Sequence, residues 1–293
     1  MIYLNHIQKI ICGGYVCRAS IRAIVFYLFL VFIPVLLPCL YGIEVLGAPR
    51  CTVYFYNPES NVDNFALLKT KLDMYLKNLG PYQFQPFCDR NTFEAHARGK
   101  HDCILILSSW YYKELKDFFP MKPVLVGTVD GESVQKKILA SKADIKNLSQ
   151  LKNASIASAG SEEYTRKYLK LMMGENNARL VDTFRILSVP KDIDALISMG
   201  FGLVQAALTT EYSITKLSII NQGLYKKLTI LVRNEKSLHP IVAIPAGHDA
   251  EALKLLEIIE NMEKTTEGKS CMQLFGVEGW RILDKKDLEL LGK

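Results

Sequence analysis

Residues 151–174 read LKNASIASAGSEEYTRKYLKLMMG, and the order of features in this stretch decides the fold class. Residues 154–158 have the length and composition of a short buried strand. Ser158-Ala159-Gly160-Ser161 then supplies small residues for a tight bend, and Ser161 is placed to cap a helix. Beyond it Tyr164, Tyr168, Leu169, Leu171 and Met172 recur at helical spacing, with Arg166, Lys167 and Lys170 among them and Gly174 as the stop. A strand therefore feeds a helix through a Ser/Gly turn. Such a turn leaves the first N–H groups of the helix unpaired beside two hydroxyls, where a carboxylate or phosphate-like oxyanion can bind. The same turn also closes ordinary strand-to-helix connections.

On the N-terminal side the alternation repeats. CTVYFY (51–56) reads as a strand stopped by Asn57-Pro58, and a helix over 64–79 carries Leu68, Leu72, Leu76 and Leu79 on one face. A strand at 82–87 follows, then a capping-box pattern at Asn91-Thr92-Phe93-Glu94. CILIL (103–107) is apolar throughout, as a strand covered on both faces must be, and it ends in Ser108-Ser109-Trp110-Tyr111. A helix at 111–119 and a strand at 123–129 lead to Asp130-Gly131. On the C-terminal side the expectations are a strand at 183–189, a helix at 191–199, an apolar run at 201–208 and a helix opening at Thr209-Thr210-Glu211-Tyr212. Strands at 228–232 and 240–245 and a helix at 249–262 complete the series. This alternation predicts an α/β protein with mostly parallel sheets flanked by helices. Extended segments near 126–131 and 233–244 bracket a self-contained run and divide the chain into two lobes: 49–131 with 233–293, and 132–232. Ligands of such sheets sit beyond the C-terminal ends of strands, here in the cleft between the lobes.

At 293 residues, 49% hydrophobic and 23% charged, the chain has enough apolar material for a large core or two lobes. Residues 23–41, AIVFYLFLVFIPVLLPCLY, carry no charge and follow Lys9, Arg18 and Arg22. Residues 1–48 thus read as an export signal cut near Gly47, or as an N-terminal membrane anchor. The net charge of +6 is scattered rather than striped, which argues against a nucleic-acid partner. Four cysteines lie beyond the leader: Cys51, Cys88, Cys103 and Cys271. An exported compartment permits disulfides, and the strand-opening positions of Cys51 and Cys103 would allow them to lie side by side. Neither the cysteines nor the five histidines have metal-ligand spacing, so no metal or cofactor is expected. No serine sits in a nucleophile elbow and no carboxylates form an acid/base pair, so no catalytic residue is assigned. His239, before Pro240, reads as a hinge or surface residue.

The succession DCILILSSWYYKELKDFFPMKPVLVGTVDG, SKADIKNLSQLKNASIASAGSEEY, GLVQAALTTEYS, HPIVAIPAG and MEKTTEGKSCMQLFGVEGWRIL resembles the type 2 periplasmic solute-binding fold. It looks closest to the phosphate, phosphite and phosphonate-binding proteins of ABC transporters. That resemblance implies a two-lobed monomer, exported to the periplasm, that delivers a small polar solute to a membrane permease. It also implies that an oxyanion is held at Ser158, Gly160, Ser161 and Thr165, opposite Ser108, Ser109 and Tyr111. The strand-end residues Tyr56, Thr209 and Tyr212 complete the expected lining. The chain departs from the family pattern at Glu162 and Glu163, directly after Ser161. Unless both point away, these carboxylates repel a dianion and favour a neutral or cationic solute, and ordinary phosphate is expected to bind poorly. The alternative is a membrane-tethered sensor or docking protein of the same fold with a degenerate anion pocket.

Overall fold

The computed structural model describes residues 50–59, 65–117 and 119–292, so the 23–41 span and the cleavage site lie outside the described residues. The first part of the chain forms β1 (Cys51–Tyr56), α1 (Phe65–Lys77), β2 (Tyr82–Pro86), α2 (Arg90–Ala97), β3 (Cys103–Leu107), α3 (Ser109–Leu115) and β4 (Met121–Thr128). The middle part forms β5 (Val134–Lys142), β6 (Ser155–Ser158), α4 (Glu162–Met173), β7 (Arg185–Ser188), α5 (Asp192–Gly200), β8 (Ala206–Thr210), α6 (Glu211–Ile220) and β9 (Leu228–Leu238), with one-turn helices between. The last part forms β10 (Ile241–Pro245), α7 (Ala250–Glu260), α8 (Thr266–Phe275), β11 (Gly279–Ile282) and α9 (Lys285–Gly292).

These strands make two sheets, one in the order β11-β4-β10-β3-β1-β2 and the other in the order β7-β6-β8-β5-β9. Each is mixed rather than mostly parallel. β2, β1 and β3 run parallel, as do β7, β6 and β8, because each of these strands returns through a helix. β10 and β11 in one sheet, and β5 and β9 in the other, add antiparallel pairings. Period-2 geometry separates the two faces of the first sheet into two cores. Val53, Phe55, Ile104 and Ile106 pack under α1, α7 and α8, while Leu105, Leu107, Phe93 and Tyr111 fill the other side. Cys51 and Cys103 fall on opposite faces by the same rule, so their neighbouring strands do not bring them together. All four described cysteines are free thiols.

The chain passes between the sheets twice. On the first passage Val129 and Glu132 exchange backbone hydrogen bonds of 3.0 Å around Asp130 and Gly131. Both central residues have positive φ, 49° and 77°, which Asp-Gly tolerates in a tight turn. On the second passage the His239 N–H donates to the Ser133 carbonyl at 2.9 Å and the Gly127 N–H to the Pro240 carbonyl at 2.8 Å. Arg281 and Ser133 both reach the buried Asp287 of α9, clamping β5's start to the first sheet. β5 carries no strand pattern in the sequence. Its sequence, VQKKILASK, shows neither clean alternation nor an apolar run at its start, yet it pairs with both β8 and β9. The helix at 90–97 is capped by Asp89, which accepts the Thr92 N–H, two residues before Asn91, where the sequence pattern places the start of the capping box. Of the apolar run at 201–208, Phe201 and Leu203 are exposed and the strand starts only at Ala206.

Candidate functional site

Three connections meet at the ends of parallel strands. Pro58 ends β1 by removing a ladder donor, and Asn57 Oδ1 accepts the Glu59 N–H at 2.9 Å, folding the chain back over the sheet. β3 runs into Ser108, whose Oγ caps α3 by accepting the Tyr111 N–H at 3.1 Å. β6 runs through Ala159-Gly160 into Ser161, whose Oγ caps α4 by accepting the Tyr164 N–H at 3.2 Å. The starts of α3 and α4, one from each sheet, thus approach the same space. The Ser161 N–H donates to the Pro58 carbonyl at 2.8 Å, and Trp110 meets Tyr164 edge to face with centroids 5.1 Å apart. Lys167 of α4 pairs with Glu114 of α3 at 3.7 Å, a third link between the two sides. A narrow cleft of about 10 Å³, room for about one water and open to solvent, remains between Tyr56, Arg90, Trp110, Tyr111, Glu163 and Tyr164.

Glu59 is buried at the base of this arrangement, only 8% exposed. Its Oε1 lies 3.4 Å from the Trp110 N–H donor, and its Oε2 lies 3.4 Å from both Gln135 Nε2 and the Tyr164 hydroxyl. Burial pushes its carboxyl above the usual range. The ammonium of Lys137, the Trp110 N–H and the Ser108 hydroxyl oppose that push. Lys137 is buried on β5 with its ammonium 3.2 Å from Asp192. Burial alone would favour its neutral form, but Asp192 and Glu59 outweigh burial and hold it charged. Tyr164 is raised well above its ordinary value by burial and by Glu59, so its hydroxyl is a donor. On the cleft wall, burial and then Glu163 push Tyr56 up to about 12.

The residues expected from the sequence fall into three groups. Tyr56, Tyr111 and Ser161 line the cleft. Ser158, Gly160 and Thr165 lie directly behind it and spend their groups on one another: Ser158 Oγ accepts the Gly160 N–H at 3.2 Å and the Thr165 hydroxyl at 2.9 Å. Ser108 caps α3 beside Glu59, whereas Ser109 Oγ donates to the Leu238 carbonyl at 2.6 Å and fastens α3 to the end of β9. Thr209 Oγ1 donates to the Asp192 carbonyl at 2.8 Å, and Tyr212 is half-buried under the Lys216 ammonium; neither lines the cleft. Glu162 and Glu163 pair with Arg166 and Lys167 one turn along, with side chains 60% and 65% exposed, although Glu163 still forms part of the cleft rim. Among the described residues no group of His, Cys, Asp and Glu is arranged to hold a metal ion, and no helix is long and apolar enough to cross a membrane.

A family model described as the phosphonate periplasmic substrate-binding protein of ABC transporters matches residues 63–288. The chain belongs to this family. The family comprises transport substrate-binding proteins, not enzymes, and this member carries their α/β architecture. Among solved structures, the binding-protein component of an ABC phosphonate transporter from Pseudomonas aeruginosa is 14% identical, with a TM-score of 0.55, covering 82% of this chain and 83% of its own. PhnD1 from Prochlorococcus marinus in complex with methylphosphonate is 14% identical, with a TM-score of 0.54, covering 83% and 97%. A Xanthomonas citri protein bound to ATP is 13% identical, with a TM-score of 0.56, covering 82% and 94%. No curated protein matches the sequence.

Within this phosphonate-binding family member, sequence reasoning passed over Pro58, Glu59, Arg90, Gln135, Lys137 and Tyr164 as site residues. The signal for Glu59 was its place just beyond the C-terminal end of a strand, where ligands of such sheets sit. Lys137 gave no signal, because a lysine in a strand ordinarily reads as a solvent-facing position.

Proposed function

We propose that this phosphonate-binding family member is exported, works as a monomer, and captures one small polar solute between its lobes for delivery to an ABC-type permease. The observation that carries this reading is the meeting of two helix N-termini, capped by Ser108 and Ser161, across a cleft walled by Tyr56, Arg90, Trp110 and Tyr111. Helix N-termini and hydroxyls suit oxygen-rich groups, and the aromatic walls suit a short carbon skeleton. The division into lobes, 49–131 with 233–293 and 132–232, belongs to this proposal. Removal of the leader near Gly47 belongs to it as well.

Native mass spectrometry of the exported protein, paired with a thermal-shift screen of organophosphonates, carboxylates and amines, tests the reading. The expected result is one small molecule per chain, with binding lost in Trp110→Ala. A panel in which nothing binds, or binding untouched by changes at Trp110 and Tyr56, contradicts it. Uncleaved protein recovered in membranes would replace export in soluble form with the anchored alternative.

A further inference from the structure

Donors from both sheets converge on one carboxylate, and that carboxylate belongs to the protein. Trp110 N–H and the Ser108 hydroxyl approach Glu59 from the start of α3, the Tyr164 hydroxyl from α4, and the Gln135 amide from β5, with the Lys137 ammonium behind. Convergence of a helix N-terminus, hydroxyls, an amide and a cation is what an external oxyanion would require. The fit is loose. The Glu59 contacts to Trp110, Gln135 and Tyr164 are each 3.4 Å, against about 2.7–2.9 Å for charge-assisted bonds, so Glu59 holds these three donors more loosely than a well-seated anion would. Asp192, 3.2 Å from Lys137, already pairs that ammonium, so Glu59 is the acceptor for the remaining donors and fills the space that a second anion would need.

We propose that Glu59 is the resident occupant of an oxyanion subsite in the cleft and sets the specificity of that subsite, because a small oxyanion reaches these donors only by displacing it. The proposal rests on the reading of the cleft as the solute site. Wild-type protein therefore discriminates against free phosphate and methylphosphonate, and Glu59, rather than Glu162 or Glu163, is the residue that does so. Removing the side chain leaves Lys137 with Asp192 as its one carboxylate partner and the Trp110, Gln135 and Tyr164 donors without this acceptor, which creates a site for an external anion.

Calorimetric titration of wild type, Glu59→Ala and Glu59→Ser with phosphate, methylphosphonate and acetate tests this, acetate being the group that the alanine substitution removes. The expected outcome is weak binding to wild type and a gain of about tenfold or more for methylphosphonate or acetate in Glu59→Ala. Methylphosphonate that binds wild type as tightly as the alanine variant overturns the proposal, as does a folded alanine variant that binds none of the three. If Glu59→Ala does not fold, Glu59→Ser carries the test, since it also empties the space that the carboxylate fills; an unchanged anion affinity in a folded Glu59→Ser is equally fatal. Failure here leaves the cleft reading standing, since that is judged by Trp110 and Tyr56 substitutions with the solute that the native protein carries.

Discussion

Gly160→Ala probes the contact between the two sides of the cleft. A Cβ at Gly160 would sit 2.9 Å from Cε1 of Tyr164, closer still to Cδ1, and 3.1 Å from the Pro58 carbonyl oxygen. The ring cannot yield easily. Tyr164 is 1% exposed, wedged between Trp110 and Tyr168 with centroids at 5.1 and 5.3 Å, and its hydroxyl is tied to Glu59. Gly160 does not need positive φ, so alanine brings no backbone strain and stiffens the unfolded chain by about 0.4–1 kcal/mol. Overpacking costs about 1–3 kcal/mol, so the clash outweighs that gain and about 1–2 kcal/mol of destabilisation remains. For a domain of this size the loss corresponds to a fall in Tm of about 2–8 °C. Differential scanning calorimetry reads it, with Gly292→Ala as control, since a Cβ there meets nothing within 4 Å. Relief by parting Pro58 from Ser161 would also shift the emission of Trp110. Equal Tm for the two variants, with unshifted emission, would refute the packing described between Gly160, Tyr164 and Pro58.

Lys137→Met removes the buried cation between Glu59 and Asp192, and breaking a buried pair in this way costs about 3–5 kcal/mol; thermal denaturation checks it, and a loss under about 1 kcal/mol would mean that the cluster is solvated. His239 is held down from 6.5 to about 4, first by burial and then by Lys137. The unfolded chain takes up this proton before the native one does, so the contribution of neutral His239 is complete above pH 6.5 and is lost as pH falls toward 4, a change of about 3 kcal/mol. His239→Gln should remove that part of the acid sensitivity, measured as Tm against pH for both proteins. Glu162→Gln breaks only an exposed pair with Arg166 and should change stability by less than about 1 kcal/mol, which the same denaturation assay reads.

What the sequence made legible was local. Ser161 as a cap, Gly174 as the stop of α4 and the fully apolar β3 each depend on a handful of neighbouring residues, and each is where the pattern put it. Small hydroxyl residues at a helix start look the same in sequence whether their groups face a ligand or one another, so the Ser158 bonds to Gly160 and Thr165 are visible only in the structure. The mixed character of the sheets and the buried Lys137 depend on β5, whose partners lie 65 residues away in the chain at the nearest paired position, Ser141 with Ala206, and 104 at the farthest, Val134 with Leu238. Nothing within VQKKILASK announces those partners. The burial of Glu59 has the same origin: Asn57-Pro58 marks a strand's end, but only the approach of α3, α4 and β5 surrounds the next side chain with donors.

The most direct measurement of the central claim, that solute binds between the lobes, uses the two tryptophans of the chain. Trp280 is buried in the first sheet's core, and its N–H has no partner among the described residues, so Trp280→Phe breaks no hydrogen bond seen there and leaves Trp110, on the cleft wall, as the reporter. Titrating this variant with the solute identified on the native protein should change Trp110 emission saturably, at one solute per chain and with the affinity found by calorimetry. Stoichiometric binding that leaves Trp110 emission unchanged would place the solute elsewhere and contradict the account.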